Sequence, residues 1–144
     1  MDSTVAEIDE TAWLEETAAQ LRAGRTADVD LAQLAEYLTD MAKRDRREVK
    51  SRLAILIAHL LKWKYQPGRR CLSWQNTIRD QREELEEILT STVLLAHAHD
   101  VLPAAWAKGR LHAIAQTGLA DDTFPVNCPM PLSAILKSDI WAAE

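Results

Sequence analysis

The sequence predicts an all-α fold, a single-domain helical bundle of five or six helices with a central antiparallel helical hairpin. Apolar residues recur at helical spacing through most of the 144 residues, and capping residues or Gly and Pro stops separate these segments. No segment shows the alternation of apolar and polar residues that is typical of a strand. Because this length suits one hydrophobic core, we expect residues 1–144 to form one domain.

The first predicted helix begins near the N-terminus and ends at Gly24. Its start is marked either by Thr4 and Glu7, which have capping-box spacing, or by Asp9 as a later N-cap. The next helical segment begins after Asp30, which is also a favourable N-cap.

No Gly or Pro interrupts residues 31–66, so a single helix of about 54 Å is sterically possible. A compact domain of this size has a diameter of only about 40 Å. We therefore expect a break or kink near Lys43 to Arg46. The helix after that point is predicted to be the core element, because apolar residues cover most of its directions: Leu53, Ile55, Leu56, Ile57, Leu60, Leu61 and Trp63.

Pro67 ends this helix, and Gly68 predicts a type II turn with a positive φ. Ser73 is the predicted N-cap of the following helix. Because the connection is short, the two helices should be antiparallel neighbours. Three aromatic residues are expected to act as structural anchors of this hairpin: Trp63, Tyr65 and Trp74.

A further helix is expected to begin at Ser91 or Thr92 and to end at Gly118. Pro103 inside it predicts a kink or a split into two pieces. After an irregular segment, Pro131 at position N1 is expected to open a short last helix.

Charge is strongly segregated along the chain. Residues 43–82 carry twelve basic and three acidic side chains, although the whole chain has a net charge of −5. Such a block either binds polyanions or is neutralised by acidic helices packed around it. We expect the second, because the isoelectric point is near 5.4 and no nucleic-acid-binding motif is present. The candidate binding surface within the block comprises Arg52, His59, Lys62, Arg69, Arg70, Arg79 and Arg82.

The sequence contains no pattern typical of an enzyme. His59 is a conceivable general base, but a histidine at the edge of a core, with its nitrogens satisfied by a neighbouring helix, is the expected state. His97 and His99 point to different sides of a helix, and the two cysteines have no ligand spacing. We therefore expect no catalysis, no metal and no cofactor.

The N-terminal residues are acidic and contain no apolar signal-peptide region. The longest apolar run, LAILIAHLL, is too short to cross a bilayer. We expect a cytoplasmic protein that does not bind membranes.

Several motifs together resemble a bacterial family known as domain of unknown function 29. They are L-R-A-G-R at 21–25, D-L-x-x-L at 30–34, H-L-L-K-W-x-Y-Q-P at 59–67, S-W-x-x-T-I-R-x-Q-R at 73–82, T-G-L at 117–119 and F-P-x-x-C-P at 124–129. The resemblance covers nearly the whole chain and implies an all-helical bacterial protein with no established activity. His97, His99 and Pro103 depart from the acidic fifth helix that is usual in the family.

These observations favour a non-catalytic helical interaction or adaptor module that binds a protein partner. The alternative hypothesis is nucleic-acid binding through the basic helical hairpin of residues 43–82. An exposed apolar patch would favour the first hypothesis, and unpaired positive charges would favour the second.

Overall fold

The computed structural model describes residues 9–137, and within this range the chain forms five α-helices and no β-strand. The predicted all-α fold is confirmed. The helices are α1 (Glu10–Arg22), α2 (Leu31–Tyr65), α3 (Leu72–Ile88), α4 (Thr92–Thr117) and α5 (Leu132–Lys137). The chain divides into an N-terminal unit, Met1–Arg44, and a C-terminal unit, Asp45–Glu144.

Two predicted N-caps are confirmed. The Asp9 carboxylate accepts a hydrogen bond of 3.0 Å from the backbone N–H of Ala12, and Asp30 accepts one of 3.0 Å from Gln33. Each bond satisfies one of the backbone donors that a helix leaves unpaired at its start. The alternative start at Thr4 lies outside the described residues.

The predicted break near Lys43 to Arg46 is wrong, because α2 is one helix of 35 residues. The prediction assumed that the whole helix must fit inside one compact body. The division between the two units falls within this helix, after Arg44. Its sequence contains only helix-compatible residues there, so nothing local interrupts the backbone hydrogen bonds.

The details of the hairpin connection also differ from the prediction. Pro67–Arg69 forms one turn of 3₁₀ helix, and Gly68 does not have a positive φ, so the type II turn is wrong. The helix α3 begins two residues earlier than predicted. Cys71 occupies the N-cap position without a side-chain cap, and Ser73 lies inside the first turn.

The helices α2 and α3 are antiparallel neighbours, as predicted. Arg52 lies in the middle part of α2 and donates a hydrogen bond of 3.2 Å to Gln81. Arg52 also lies 4.0 Å from the carboxylate of Glu84 near the end of α3. At the other end of the hairpin, Trp63 and Leu72 line one common groove.

The second half of α2 is the core of the C-terminal unit, as predicted. Its apolar side chains are buried on several sides of the helix, against α3, α4, α5 and the segment before α5. The fully buried large side chains of this core are Val49, Leu53, Leu56, Ile57, Leu60, Leu61, Leu85, Trp106, Phe124 and Ile135. The helix α5 packs on α3 and on α4.

The helix α4 begins and ends as predicted. Ser91 is the N-cap, and Gly118 ends the helix with a left-handed φ of 70°. The predicted split is wrong, since α4 continues through Pro103 as one helix. Pro131 directly precedes α5, and its carbonyl oxygen accepts the hydrogen bond from Ala134.

The irregular segment between α4 and α5 is held against α4 by two side chains. The indole N–H of Trp106 donates to the carbonyl oxygen of Pro125 at 2.9 Å, and Arg110 Nε donates to that of Phe124 at 3.1 Å. Arg110 also donates to the carbonyl oxygen of Asp121. None of the helices in residues 9–137 combines the length and the apolar character needed to cross a bilayer.

Candidate interaction groove

The C-terminal unit has a groove between α2 and α3, with a volume of about 480 Å³. The two helices form its walls, and apolar side chains are concentrated toward the end of the hairpin near residues 67–71. Ten residues line the groove: Leu60, Trp63, Leu72, Gln75, Asn76, Ile78, Arg79, Arg82, Glu83 and Glu86. This volume lies in the range of ordinary ligand-binding clefts.

Two apolar side chains in the groove have incomplete burial or incomplete hydrogen bonding. Leu72 is 69% exposed although its side chain is large and apolar. Trp63 is half-buried, and its indole N–H is shielded from water without a hydrogen-bond partner within the described residues. A buried donor without an acceptor is unfavourable, so a bound segment that offers a carbonyl oxygen would stabilise this site.

Charge changes sign along the groove wall that α3 forms. From Leu72 to Glu86 the wall spans 15 residues, or about 21 Å of helix. Leu72 and the amides come first, Arg79 and Arg82 follow, and Glu83 and Glu86 lie at the far end. The groove therefore combines apolar surface with an ordered charge pattern.

Two residues of the predicted binding surface, Arg79 and Arg82, lie in this groove. Arg79 is exposed and lies 3.5 Å from the carboxylate of Asp80. Arg82 donates from Nε to the carbonyl oxygen of Ile135 at 3.0 Å, which ties α3 to α5. Arg79 is therefore available at the rim, whereas Arg82 also has a structural contact.

Arg70 supports the groove from the side of the connection. Its Nε donates to the carbonyl oxygen of Trp63 at 2.8 Å, and its guanidinium lies 5.0 Å from the centre of the Trp63 ring. This cation–π contact fixes the orientation of the indole. Arg69 is exposed in the connection and does not line the groove.

Lys62 is a buried lysine that faces α4. Its side chain is only 7% exposed, and Nζ donates to the amide oxygen of Gln116 at 2.7 Å. The ammonium also lies 5.1 Å from the centre of the Trp74 ring. Burial lowers the pKa of Lys62, and a negative charge on nearby Cys71 opposes this effect. Lys62 therefore links the hairpin to α4 and does not line the groove.

His59 and Arg52 are engaged elsewhere along α2. His59 is half-buried, and its Nδ1–H donates at 2.9 Å to the carbonyl oxygen of Ile55 in its own helix, whereas the prediction placed this partner on a neighbouring helix. Burial lowers the pKa of His59, and the positive charge of Lys62 adds to the effect. Arg52 donates from Nε to Glu48 at 2.9 Å. The predicted surface is thus divided between different sides of the hairpin.

The three predicted anchors have different surroundings. Tyr65 packs edge-on against Phe124, with ring centres 5.3 Å apart. Trp74 is half-buried beneath Lys62, and Trp63 forms part of the groove wall.

The expected neutralisation of the basic block by acidic helices is seen at Arg52, which contacts Glu84 of α3. Two further ion pairs join residues within the basic block itself. They are Arg52 with Glu48 and Arg79 with Asp80. Four cationic side chains of α2 are exposed and form no ion pair within residues 9–137: Lys43, Arg44, Arg46 and Arg47. The predicted pairing is therefore wrong for these four residues, because an exposed ion pair gains little over two solvated charges.

Sequence reasoning did not identify half of the groove. It missed Leu72, Gln75, Asn76, Glu83 and Glu86, because the predicted binding surface and anchors comprised only cationic and aromatic residues. A signal was present in Leu72, which is a leucine at the start of a helix whose exposed side is otherwise polar.

A smaller recess of about 320 Å³ lies between α4 and the segment before α5, and His99 and Cys128 are among its lining residues. The thiol of Cys128 donates to the carbonyl oxygen of Met130 at 3.1 Å, and burial raises the pKa of this thiol. Across residues 9–137, no three His, Cys, Asp or Glu side chains are grouped so that they can hold a metal ion.

A protein-family model matches most of the chain. No curated protein and no solved structure matches the chain significantly. The family model described as domain of unknown function DUF29 matches residues 6–141, which includes both helices of the hairpin and the groove between them. The chain therefore belongs to the DUF29 family.

Proposed function

We propose that this protein is a non-catalytic interaction module whose hairpin groove binds an amphipathic helix of a protein partner. The observation that supports this best is the groove itself, where exposed Leu72 and half-buried Trp63 and Ile78 lie beside a charged rim. An apolar floor with a polar rim is the usual anatomy of a protein interface.

The shape of the groove favours a helix as the bound segment. A groove between two antiparallel helices accepts a third helix, whose apolar residues at positions i, i+3, i+4 and i+7 enter it. The α3 wall from Leu72 to Glu86, about 21 Å long, corresponds to roughly four turns of such a helix.

The charge order along the wall favours a particular distribution of charge in the partner. Acidic residues of the partner would lie opposite Arg79, and basic residues opposite Glu83 and Glu86. A helix with acidic residues in its first turns and basic residues in its last turns also has a favourable interaction with its own macrodipole. We therefore expect the partner helix to run parallel to α3.

The test uses a synthetic helical peptide of about four turns, with leucines on one face, glutamates near its N-terminus and lysines near its C-terminus. Its binding to the full chain is measured by fluorescence anisotropy. The variant L72D should weaken binding at least tenfold, since a carboxylate replaces apolar contact at the floor. The matched control is L111D, because Leu111 is 63% exposed on α4 and does not line the groove.

A further variant, with Glu83 and Glu86 changed to lysine, should lower the affinity for the peptide, because the new lysines repel the lysines of the peptide. A peptide whose leucines are replaced by serine should not bind. Equal losses in L72D and L111D would contradict the proposal, and so would binding of the serine peptide with unchanged affinity.

A second candidate function is electrostatic binding of single-stranded nucleic acid. The observation that favours it is the cluster of Arg46, Arg47 and Lys50, which lie at positions i, i+1 and i+4 of α2 and have no ion pair within the described residues. Such a surface contacts phosphates without reading bases. The net charge of −5 opposes it, so the groove remains the leading proposal.

A further inference from the structure

The N-terminal unit contains its own small recess, with a volume of about 170 Å³, formed by α1 and by the first part of α2. We infer that this recess binds an alkylammonium cation, the head group of a lysine side chain or of choline. The inference does not depend on the hairpin groove, because no residue is shared between the two. The recess is lined by Glu10, Trp13, Gln33, Glu36, Tyr37 and Asp40.

Two aromatic rings form a corner in this recess. The centres of the Trp13 and Tyr37 rings are 5.5 Å apart, and the ring planes make an angle of 63°. Trp13 is 2% exposed and forms the floor, whereas Tyr37 is half-buried and forms a side. The face of an aromatic ring carries negative electrostatic potential, so a corner of two rings attracts a cation.

Three carboxylates surround this aromatic corner. Glu10, Glu36 and Asp40 are exposed, and none forms an ion pair within residues 9–137. Glu36 and Asp40 occupy positions i and i+4 of α2, on the same face as Tyr37. The recess thus combines negative charge with π surface and offers no cationic group of its own.

Gln33 adds a polar acceptor to the wall. Its amide oxygen is shielded from water and accepts no hydrogen bond within the described residues. A primary ammonium has three N–H donors, which match this oxygen and the carboxylates at the rim. Because the volume is well below that of a drug-sized cleft, the recess suits one head group and not a whole peptide.

The first experiment compares choline with its neutral isostere 3,3-dimethyl-1-butanol, using the full chain and the NMR signal of the Trp13 indole N–H. Choline should shift this signal in a saturable manner, and the neutral isostere should not. The variant Y37F should keep the affinity for choline, whereas Y37L should weaken it by about 2- to 30-fold, the range expected for loss of one cation–π contact.

The variant D40N tests the inference independently of Y37L, whose substitution could affect folding. Asp40 is exposed, so its change to asparagine removes only charge. D40N should also weaken choline binding, and this loss should become smaller at high salt. The matched control is E15Q, since Glu15 is an exposed carboxylate of α1 that does not line the recess.

Two further measurements distinguish the natural sources of the cation. A short peptide with one central lysine, unmethylated or trimethylated, reports a protein side chain, and vesicles of phosphatidylcholine report a lipid head group. We expect the peptide to bind and the vesicles not to bind, because the phosphate beside each lipid choline would be repelled by the three exposed carboxylates around the recess. Equal shifts by choline and 3,3-dimethyl-1-butanol would overturn the inference, as would unchanged affinity in both Y37L and D40N.

Discussion

Gly109 of α4 lies directly against Ile57 of α2, so closely that a Cβ atom at residue 109 would be 2.7 Å from Ile57 Cγ2. The same atom would be 2.8 Å from the backbone oxygen of Ala54. No other type of residue fits at this contact without a shift of one helix, because real Cβ contacts are longer. Gly109 therefore sets how closely the core helix and α4 approach each other.

The first prediction is that G109A destabilises the protein. Overpacking costs about 1–3 kcal/mol, and the backbone oxygen of Ala54 cannot move aside. Alanine is favoured over glycine inside a helix by roughly 1 kcal/mol, which offsets part of this cost, so the net loss should be up to about 2 kcal/mol. Urea unfolding followed by circular dichroism measures this difference.

The control for this prediction is G68A. Gly68 has no atom within 4 Å of the position of a Cβ, and its φ is not positive. Its substitution should change the free energy of unfolding by less than about 0.5 kcal/mol. Equal effects of the two substitutions would show that the close contact between α4 and α2 does not determine the loss of stability in G109A.

The sequence predicted those features of the fold that depend on neighbouring residues. Asp9, Asp30, Ser91 and Gly118 occupy the predicted helix ends, because a cap is a contact between residues three or four positions apart. Gly109 gave no such signal, since its role depends on a residue 52 positions away in α2. The incorrect prediction of a break in α2 likewise came from an argument about overall dimensions and not from local sequence.

The candidate site was predicted only in part for a similar reason. Trp63 and Arg79 were identified and do line the groove, but Lys62 and His59 do not. Helical periodicity places Lys62 about 200° around the axis from Leu60, which lines the groove. The sequence therefore separates the faces of α2, but it does not tell which neighbouring helix covers each face.

The second prediction concerns the stability of the protein in weak acid. Burial lowers the pKa of His59 in the folded state, below its usual value of 6.5, so the unfolded chain takes up a proton first as the pH falls. The contribution of His59 to stability is therefore fully present above pH 6.5 and decreases as the pH falls from 6.5 to the folded-state pKa. Urea melts between about pH 7 and pH 5 should show this decrease.

In the variant H59Q the decrease should be smaller, because glutamine can still donate to the Ile55 carbonyl oxygen but does not titrate. The control is H99Q, since His99 is exposed. If H59Q keeps the full pH dependence of the wild type, the burial of His59 does not control acid stability.

The third prediction concerns Lys62 at alkaline pH. Burial lowers its pKa in the folded state below 10.5, so the unfolded chain binds more protons between these two values. Stability should therefore rise with pH in this window through Lys62. Burial raises the pKa of Cys128, which acts in the opposite direction, so the comparison must be with a variant that retains this cysteine.

The variant K62M keeps the apolar stem of the side chain and removes the charge. As the pH rises toward 10.5, its stability should rise less than that of the wild type, as measured by urea unfolding. An equal slope in both proteins would show that Lys62 is not significantly desolvated beside Trp74 and Gln116.

The last prediction concerns Arg46, Arg47 and Lys50 of α2, because the two candidate functions differ in what these cations bind. Because the whole chain carries a net charge of −5, we expect single-stranded DNA to bind weakly at about 50 mM salt and not detectably at about 150 mM. With three phosphate contacts from Arg46, Arg47 and Lys50, the logarithm of the affinity should fall with the logarithm of the salt concentration with a slope of about −2.

The double variant R46Q/R47Q should reduce the magnitude of this slope by about 1.4, whereas K108Q, which changes an exposed cation of α4, should leave it unchanged. Fluorescence anisotropy with a labelled oligonucleotide measures both slopes. Micromolar binding at 150 mM salt that R46Q/R47Q abolishes would instead make nucleic acid the leading partner, because the exposed cations would then outweigh the acidic remainder of the chain.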